Sequence, residues 1–147
     1  MNAKLSQEEA DMLIALKKVY RGVTSIVFPN LGRRLNFKVF AKTANEEFLF
    51  DVTRGRVKLS KFTFQSRARK TIVLARLDIN GSPHRNPDGE ELGGTHIHVY
   101  KENFGDAYAL PLPECFARCE TGCDYLDEFM DWCNVTVKPK IEKGLFT

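Results

Sequence analysis

The chain has 147 residues, of which 43% are hydrophobic and 28% charged, with three histidines, four cysteines and a net charge of +3. That length suits a single domain, spanning 1–147, that buries roughly two-thirds of its unfolded surface, and the composition excludes a fibrous, low-complexity or disordered chain. No stretch approaches the roughly 18 apolar residues of a helical membrane span, so no membrane partner is expected.

Met1-Asn2-Ala3-Lys4-Leu5 leads straight into a helical pattern, with no apolar leader core, which points to a cytoplasmic setting. Ser6-Gln7-Glu8-Glu9 is a capping box, and Met12, Leu13, Leu16, Val19 and Tyr20 recur at helical spacing, so the pattern predicts one helix over 6–20, ended by Gly22. The period then changes to two. Val23–Phe28 reads as a short strand stopped by Pro29-Asn30, and Leu35, Phe37, Val39 and Phe48, Phe50, Val52 form a hairpin around Ala44-Asn45-Glu46. A change of phase between Val57/Leu59 and Phe62/Phe64 predicts a bulge near Ser60-Lys61. Thr71–Ile79 and His96–Tyr100 are two further strands. Cys123, Leu126, Phe129, Met130 and Cys133 form a helical stripe over 122–133, capped by Thr121, and Val135–Phe146 is extended, with Pro139 confining it to an edge or coil. The expected fold class is α+β: an antiparallel meander of about six strands with an N-terminal and a C-terminal helix.

Charge is unevenly spread. Residues 1–77 carry sixteen Lys/Arg against six Asp/Glu, and residues 78–147 carry six against thirteen. Between Val52 and Leu77 lie Arg54, Arg56, Lys58, Lys61, Arg67, Arg69, Lys70 and Arg76 and no acid, a candidate surface for nucleic acid, or else the edge protection of an exposed strand pair. Phe62 and Phe64 in that stretch match the stacking pattern of single-strand binders but fit a core better.

All three histidines fall within fifteen residues, His84 to His98. Because side chains alternate along a strand, Val73, Ala75, Leu77 and Ile79 share one face with Ile97 and Val99, and antiparallel pairing across the 80–94 loop puts Arg76, Asp78, His96, His98 and Tyr100 together on the other. His84, Arg85, Asp88 and Glu90 ride on the loop, whose Asn80-Gly81, Asn86-Pro87 and Asp88-Gly89 are turn dipeptides.

Three chemistries suit this set. In metal-independent RNA cleavage one imidazole takes the 2′-hydroxyl proton and a second protonates the leaving oxygen. Arg76 or Arg85 then steadies the phosphorane charge, Asp78 fixes a tautomer and Tyr100 stacks on a base. A metal site would use His96-x-His98 with Asp78 or Asp88. The third reading is a solvated polar sheet face without chemistry. The candidate catalytic set is His84, His96, His98, Asp78, Arg85 and Tyr100, with no cofactor expected. Cys115, Cys119, Cys123 and Cys133 lack the C-x-x-C spacing of zinc knuckles and are expected to be unpaired thiols. The Asn134-Val135-Thr136 sequon matters only in a secreted chain.

Arg76-Leu77-Asp78-Ile79-Asn80-Gly81-x-Pro83-His84-Arg85-Asn86-Pro87-Asp88-Gly89, followed by His96-x-His98-x-Tyr100, resembles a family of small uncharacterised proteins of bacteria and their phages, over most of the chain from the N-terminal helix to Gly144-Leu145-Phe146. The Asp, turn and His after a β-rich meander are similar, more loosely, to RNA-directed toxins of toxin–antitoxin modules, although the paired histidines of such toxins are here Pro83-His84. Together these imply a protein of bacterium–phage conflict that acts on nucleic acid, with RNA favoured, as a toxin-like ribonuclease with a cognate antitoxin. The alternative is a non-enzymatic anti-defence inhibitor that binds a nucleic-acid-handling protein such as a CRISPR effector, through the acidic 78–147 half or the basic 52–77 stretch.

Overall fold

The computed structural model describes residues 4–143. Two helices, α1 (Gln7–Ala15) and α2 (Gly122–Trp132), accompany twelve strands: β1 (Lys18–Val19), β2 (Ile26–Val27), β3 (Arg34–Ala41), β4 (Glu47–Arg54), β5 (Phe62–Ala68), β6 (Ile72–Ile79), β7 (His84–Arg85), β8 (Glu91–Leu92), β9 (His96–Val99), β10 (Ala109–Pro111), β11 (Val135–Val137) and β12 (Ile141–Glu142). No helix among the described residues is long and apolar enough to cross a membrane.

The helix-plus-sheet class is as expected, but the sheet is not a six-stranded antiparallel meander. Eight strands pair in the order β10-β9-β6-β5-β4-β3-β1-β11, and the β1–β11 pair is parallel. Of Val23–Phe28 only β2 becomes strand, in a separate parallel pair with β12. The end of the predicted tail, residues 144–146, lies outside the described residues.

One of the additional strands, β1, comes from the end of the predicted 6–20 helix, which stops at Ala15, well before Gly22. Its capping box is present, Ser6 Oγ accepting from the Glu9 N–H at 3.1 Å. At the other end Lys18 turns inward, fully buried, and its ammonium donates to the carbonyls of Ile14 (2.8 Å), Leu16 (2.9 Å) and Cys133 (2.7 Å). Those carbonyls close α1 and follow α2, so one charge answers acceptors that helix ends leave unpaired. Burial pulls the Lys18 ammonium down to about 8, against a smaller upward pull from Cys133.

The core lies between one face of the sheet and α2. Phe50, Phe64 and Phe129 are buried among further phenylalanines, with Phe50 and Phe129 meeting edge to face at a centroid distance of 5.9 Å. Phe62 and Phe64 are core residues, as their period suggested. Gly122 opens α2 where a Cβ would come within 2.6 Å of the Phe28 ring.

The bulge lies elsewhere than predicted. Ser60-Lys61 belong to the turn before β5, whereas pairing jumps from Ser66↔Ala75 to Arg67↔Val73, leaving Leu74 as the extra residue. Leu74 and Ala75 are therefore both buried and Val73 leaves the core face. The bulge resets the phase of β6 before Arg76 and Asp78.

Gly81 and Gly94 clamp the two ends of the long loop, the Gly81 N–H donating to the Gly94 carbonyl at 2.9 Å. A Cβ on Gly94 would stand 2.2 Å from the Gly81 carbonyl oxygen, which is backbone and has little room to yield. Gly94→Ala should therefore cost about 2 kcal/mol of stability and speed amide exchange across 81–94; an unchanged melting curve would refute this.

Candidate functional site

The β6–β9 register is the one that alternation implies: Arg76 faces His98, and Asp78 faces His96. Loop 80–94 folds into the β7–β8 hairpin and brings His84 over the same place. The three imidazole centroids lie 5.6 Å (His84–His96), 4.7 Å (His84–His98) and 4.9 Å (His96–His98) apart. His96 and His98 are only 2% and 1% exposed, so this is an enclosed cluster and not a solvated sheet face.

Each buried ring is fixed by a main-chain carbonyl. His96 Nδ1 lies 2.6 Å from the Gly93 oxygen, and His98 Nδ1 lies 2.8 Å from the Asp106 oxygen. A carbonyl only accepts, so both Nδ1 atoms carry hydrogen. Both Nε2 atoms then point at one carboxylate oxygen, Asp78 Oδ2, each at 3.2 Å. Thr63 Oγ1 donates to Asp78 Oδ1 at 3.0 Å. The Arg76 guanidinium flanks the group, with Nη2 at 3.1 Å from His98 Nε2, Nε at 3.4 Å from Asp78 Oδ2, and Nη1 held at 2.8 Å by Asp106. Burial favours protonation of Asp78, but a His98 hydrogen bond, the Arg76 charge and the Thr63 hydroxyl outweigh it and hold the carboxyl at about 2.

His84 is half-buried at the mouth of the cluster, its Nε2 donating to the Ala107 carbonyl at 2.9 Å. The adjacent Asn86 is buried, and its amide bonds Ala109 twice, accepting from the N–H at 2.7 Å and donating to the oxygen at 2.9 Å. This side chain pins the loop over the histidines.

Arg85 and Tyr100 stand apart from that core. Arg85 is exposed and paired with Glu91 across the hairpin. Tyr100 is buried just beyond β9, where its hydroxyl donates to the Leu5 carbonyl at 2.8 Å and accepts from the Leu5 N–H at 2.9 Å. It fastens the entry to α1, and its burial leaves no ring face open to stack on a base. Of the two carboxylates weighed as metal ligands, Asp78 joins the histidines, whereas Asp88 accepts from the Glu90 N–H in a local turn. Sequence reasoning missed Thr63, Asn86 and Asp106. Only Asp106 had a usable signal, a carboxylate following the Asn103-Phe104-Gly105 turn directly after the histidine strand.

The basic stretch divides. Arg54 is buried over the Phe62 ring and donates to the Pro29 and Leu59 carbonyls, each at 3.4 Å. Arg67 forks onto Asp51 at 2.6 and 2.9 Å, Arg69 meets Glu46 at 3.3 Å and Glu9 at 3.5 Å, and Arg76 belongs to the cluster. Lys70 is exposed on the β5–β6 turn. Arg56, Lys58 and Lys61 are exposed together and line a depression with Asn80, Gly81 and Ser82. Asn80 donates to the Ser60 carbonyl at 3.1 Å, so this basic turn is tied to the root of the loop that carries His84.

A family model matches residues 5–135. The chain belongs to the family of unknown function DUF6978. No curated protein and no solved structure matches it. In this DUF6978 member the four cysteines are free, and burial, then Glu128, pushes the Cys119 thiol up to about 11, which disfavours a nucleophilic thiolate. Among the described residues, Asp78, His96 and His98 are the one group of three His, Cys, Asp or Glu side chains whose ligand atoms gather within 4.8 Å of one another.

Proposed function

We propose that the protein acts on RNA inside the cell, in the bacterium–phage conflict that its motif resemblance implies, by cleaving phosphodiester bonds at the histidine cluster. The observation that carries this reading is the convergence of three imidazoles, a carboxylate held ionised and a guanidinium, with an exposed basic turn tied to the root of the loop that carries His84. A base there removes the 2′-hydroxyl proton, the freed oxygen attacks phosphorus, and the 5′-oxygen leaves with a proton from an acid, giving a 2′,3′-cyclic phosphate and a 5′-hydroxyl end. Developing charge on phosphorus is met by Arg76. His84, at the mouth, is the imidazole that RNA meets first, and Arg56, Lys58 and Lys61 supply phosphate contacts that position the strand.

Incubation of the purified protein with a mixed-sequence RNA tests this. Cyclic phosphate ends are expected, with His84→Ala slowing their formation by about 10²-fold or more. RNA left intact by the wild-type protein would overturn the reading.

The near-complete burial of His96 and His98 favours a second reading, in which the cluster is architectural and the protein inhibits a nucleic-acid-handling protein through its charged surface. Reversing the charges of Arg56, Lys58 and Lys61 then abolishes biological activity, while His84→Ala leaves it intact.

A further inference from the structure

We propose that Asp78, His96 and His98 form a binding site for a divalent transition-metal ion, with zinc the best match. This goes beyond the cleavage reading and stands whether or not RNA is cut.

With both Nδ1–H groups spent on the Gly93 and Asp106 carbonyls, the two Nε2 atoms are the ring positions turned toward Asp78. Both Nε2 atoms lie 3.2 Å from Asp78 Oδ2. Arg76 brings positive charge to this group from one side only, its Nη2 3.1 Å from His98 Nε2 and its Nε 3.4 Å from Asp78 Oδ2. A metal ion supplies that charge to all three at once.

The donor chemistry fits, and so do the two carboxylate–imidazole distances. Zinc holds imidazole nitrogen and carboxylate oxygen at about 2.0–2.2 Å, which places neighbouring ligand atoms roughly 3.3 Å apart at tetrahedral angles. The carboxylate–imidazole separations match this, and all three donor atoms lie within 4.8 Å of one another. Metal-binding histidines characteristically donate their other ring N–H to a carbonyl or carboxylate, which fixes the tautomer and turns the lone pair to the ion. Here both do. Thr63 does the same for the second oxygen of Asp78.

Two His and one carboxylate from adjacent strands also leave coordination positions open for water or a substrate oxygen. Arg76 now leans on the ligand atoms from one side, and its 2.8 Å ion pair with Asp106 gives the guanidinium a place to withdraw as an ion enters. With an ion bound, His96 and His98 are ligands, and His84 is the imidazole left to exchange protons.

The test is a titration of the EDTA-stripped, full-length protein with Zn²⁺ followed by calorimetry and with Co²⁺ followed by visible absorption, without RNA. One equivalent per chain is expected, with a cobalt spectrum of nitrogen and oxygen ligation free of thiolate charge-transfer bands. Asp78→Asn and His98→Gln should weaken binding by about 100-fold, while replacing Cys115, Cys119 and Cys123 by Ser leaves it unchanged. No binding by the folded wild type, thiolate bands, or full affinity in a His96→Gln/His98→Gln variant would each overturn the site. If the ligand variants fail to fold, the wild-type cobalt spectrum and the cysteine variant still decide. RNA cleavage is scored separately, so its absence leaves the metal site standing.

Discussion

Lys18→Met should lower the free energy of unfolding by about 3 kcal/mol at pH 7, measured by urea denaturation. Methionine fills a similar volume but leaves the carbonyls of Ile14, Leu16 and Cys133 without their donor, at about 1–3 kcal/mol for each buried unsatisfied group. Relief of the desolvated charge offsets part of that. The pH signature separates the two contributions. The folded ammonium releases its proton at about 8, whereas the unfolded lysine holds it to about 10.4. Between those values the unfolded chain binds more protons, so this group makes wild-type stability rise with pH across that window. Below it the contribution is constant. The Met variant lacks the rise, and equal slopes in the two proteins from pH 8 to 10 would refute the assignment.

Asp78→Asn is the acid counterpart. Its carboxyl sits at about 2 in the folded protein and near 3.9 when unfolded. A depressed acid stabilises the fold above the unfolded value, and the contribution disappears as pH falls through the folded one. The wild type should therefore exceed Asp78→Asn by about 2 kcal/mol at pH 6, in EDTA, and the gap should close between pH 4 and pH 2. A gap independent of pH would mean that the carboxylate charge contributes nothing and that the loss is steric.

The centre of the site was legible because it needed little. Period-two alternation and the demand that Leu77, Ile79 and Ile97 be buried were enough to set Arg76 against His98 and Asp78 against His96. Alternation failed one residue later. β9 ends at Val99, so Tyr100 answers to Leu5 and not to the strand's face. The helix prediction failed at Lys18 for a related reason: helical spacing ran on through Val19 and Tyr20, while pairing with β3 and β11 claimed the backbone. Such distant partners leave no local mark. The enclosure of the histidines was equally invisible, since it depends on Asn86 and the 106–109 segment folding over them. The basic run was misleading in bulk because its charges have different fates: Arg67 and Arg69 answer carboxylates brought near by folding, and only the turn at 56–61 presents a compact exposed group.

The pair of hydrogen bonds between Asn86 and Ala109 also acts at the margin of the sheet. β10 is an end strand, and an end strand normally offers free amides and carbonyls to any extended chain that drifts alongside. Here the Asn86 amide imitates one rung of that missing neighbour at Ala109, and Pro111, two residues on, has no N–H to give. The β10 margin of the eight-stranded sheet is thus blunted against recruiting a further strand.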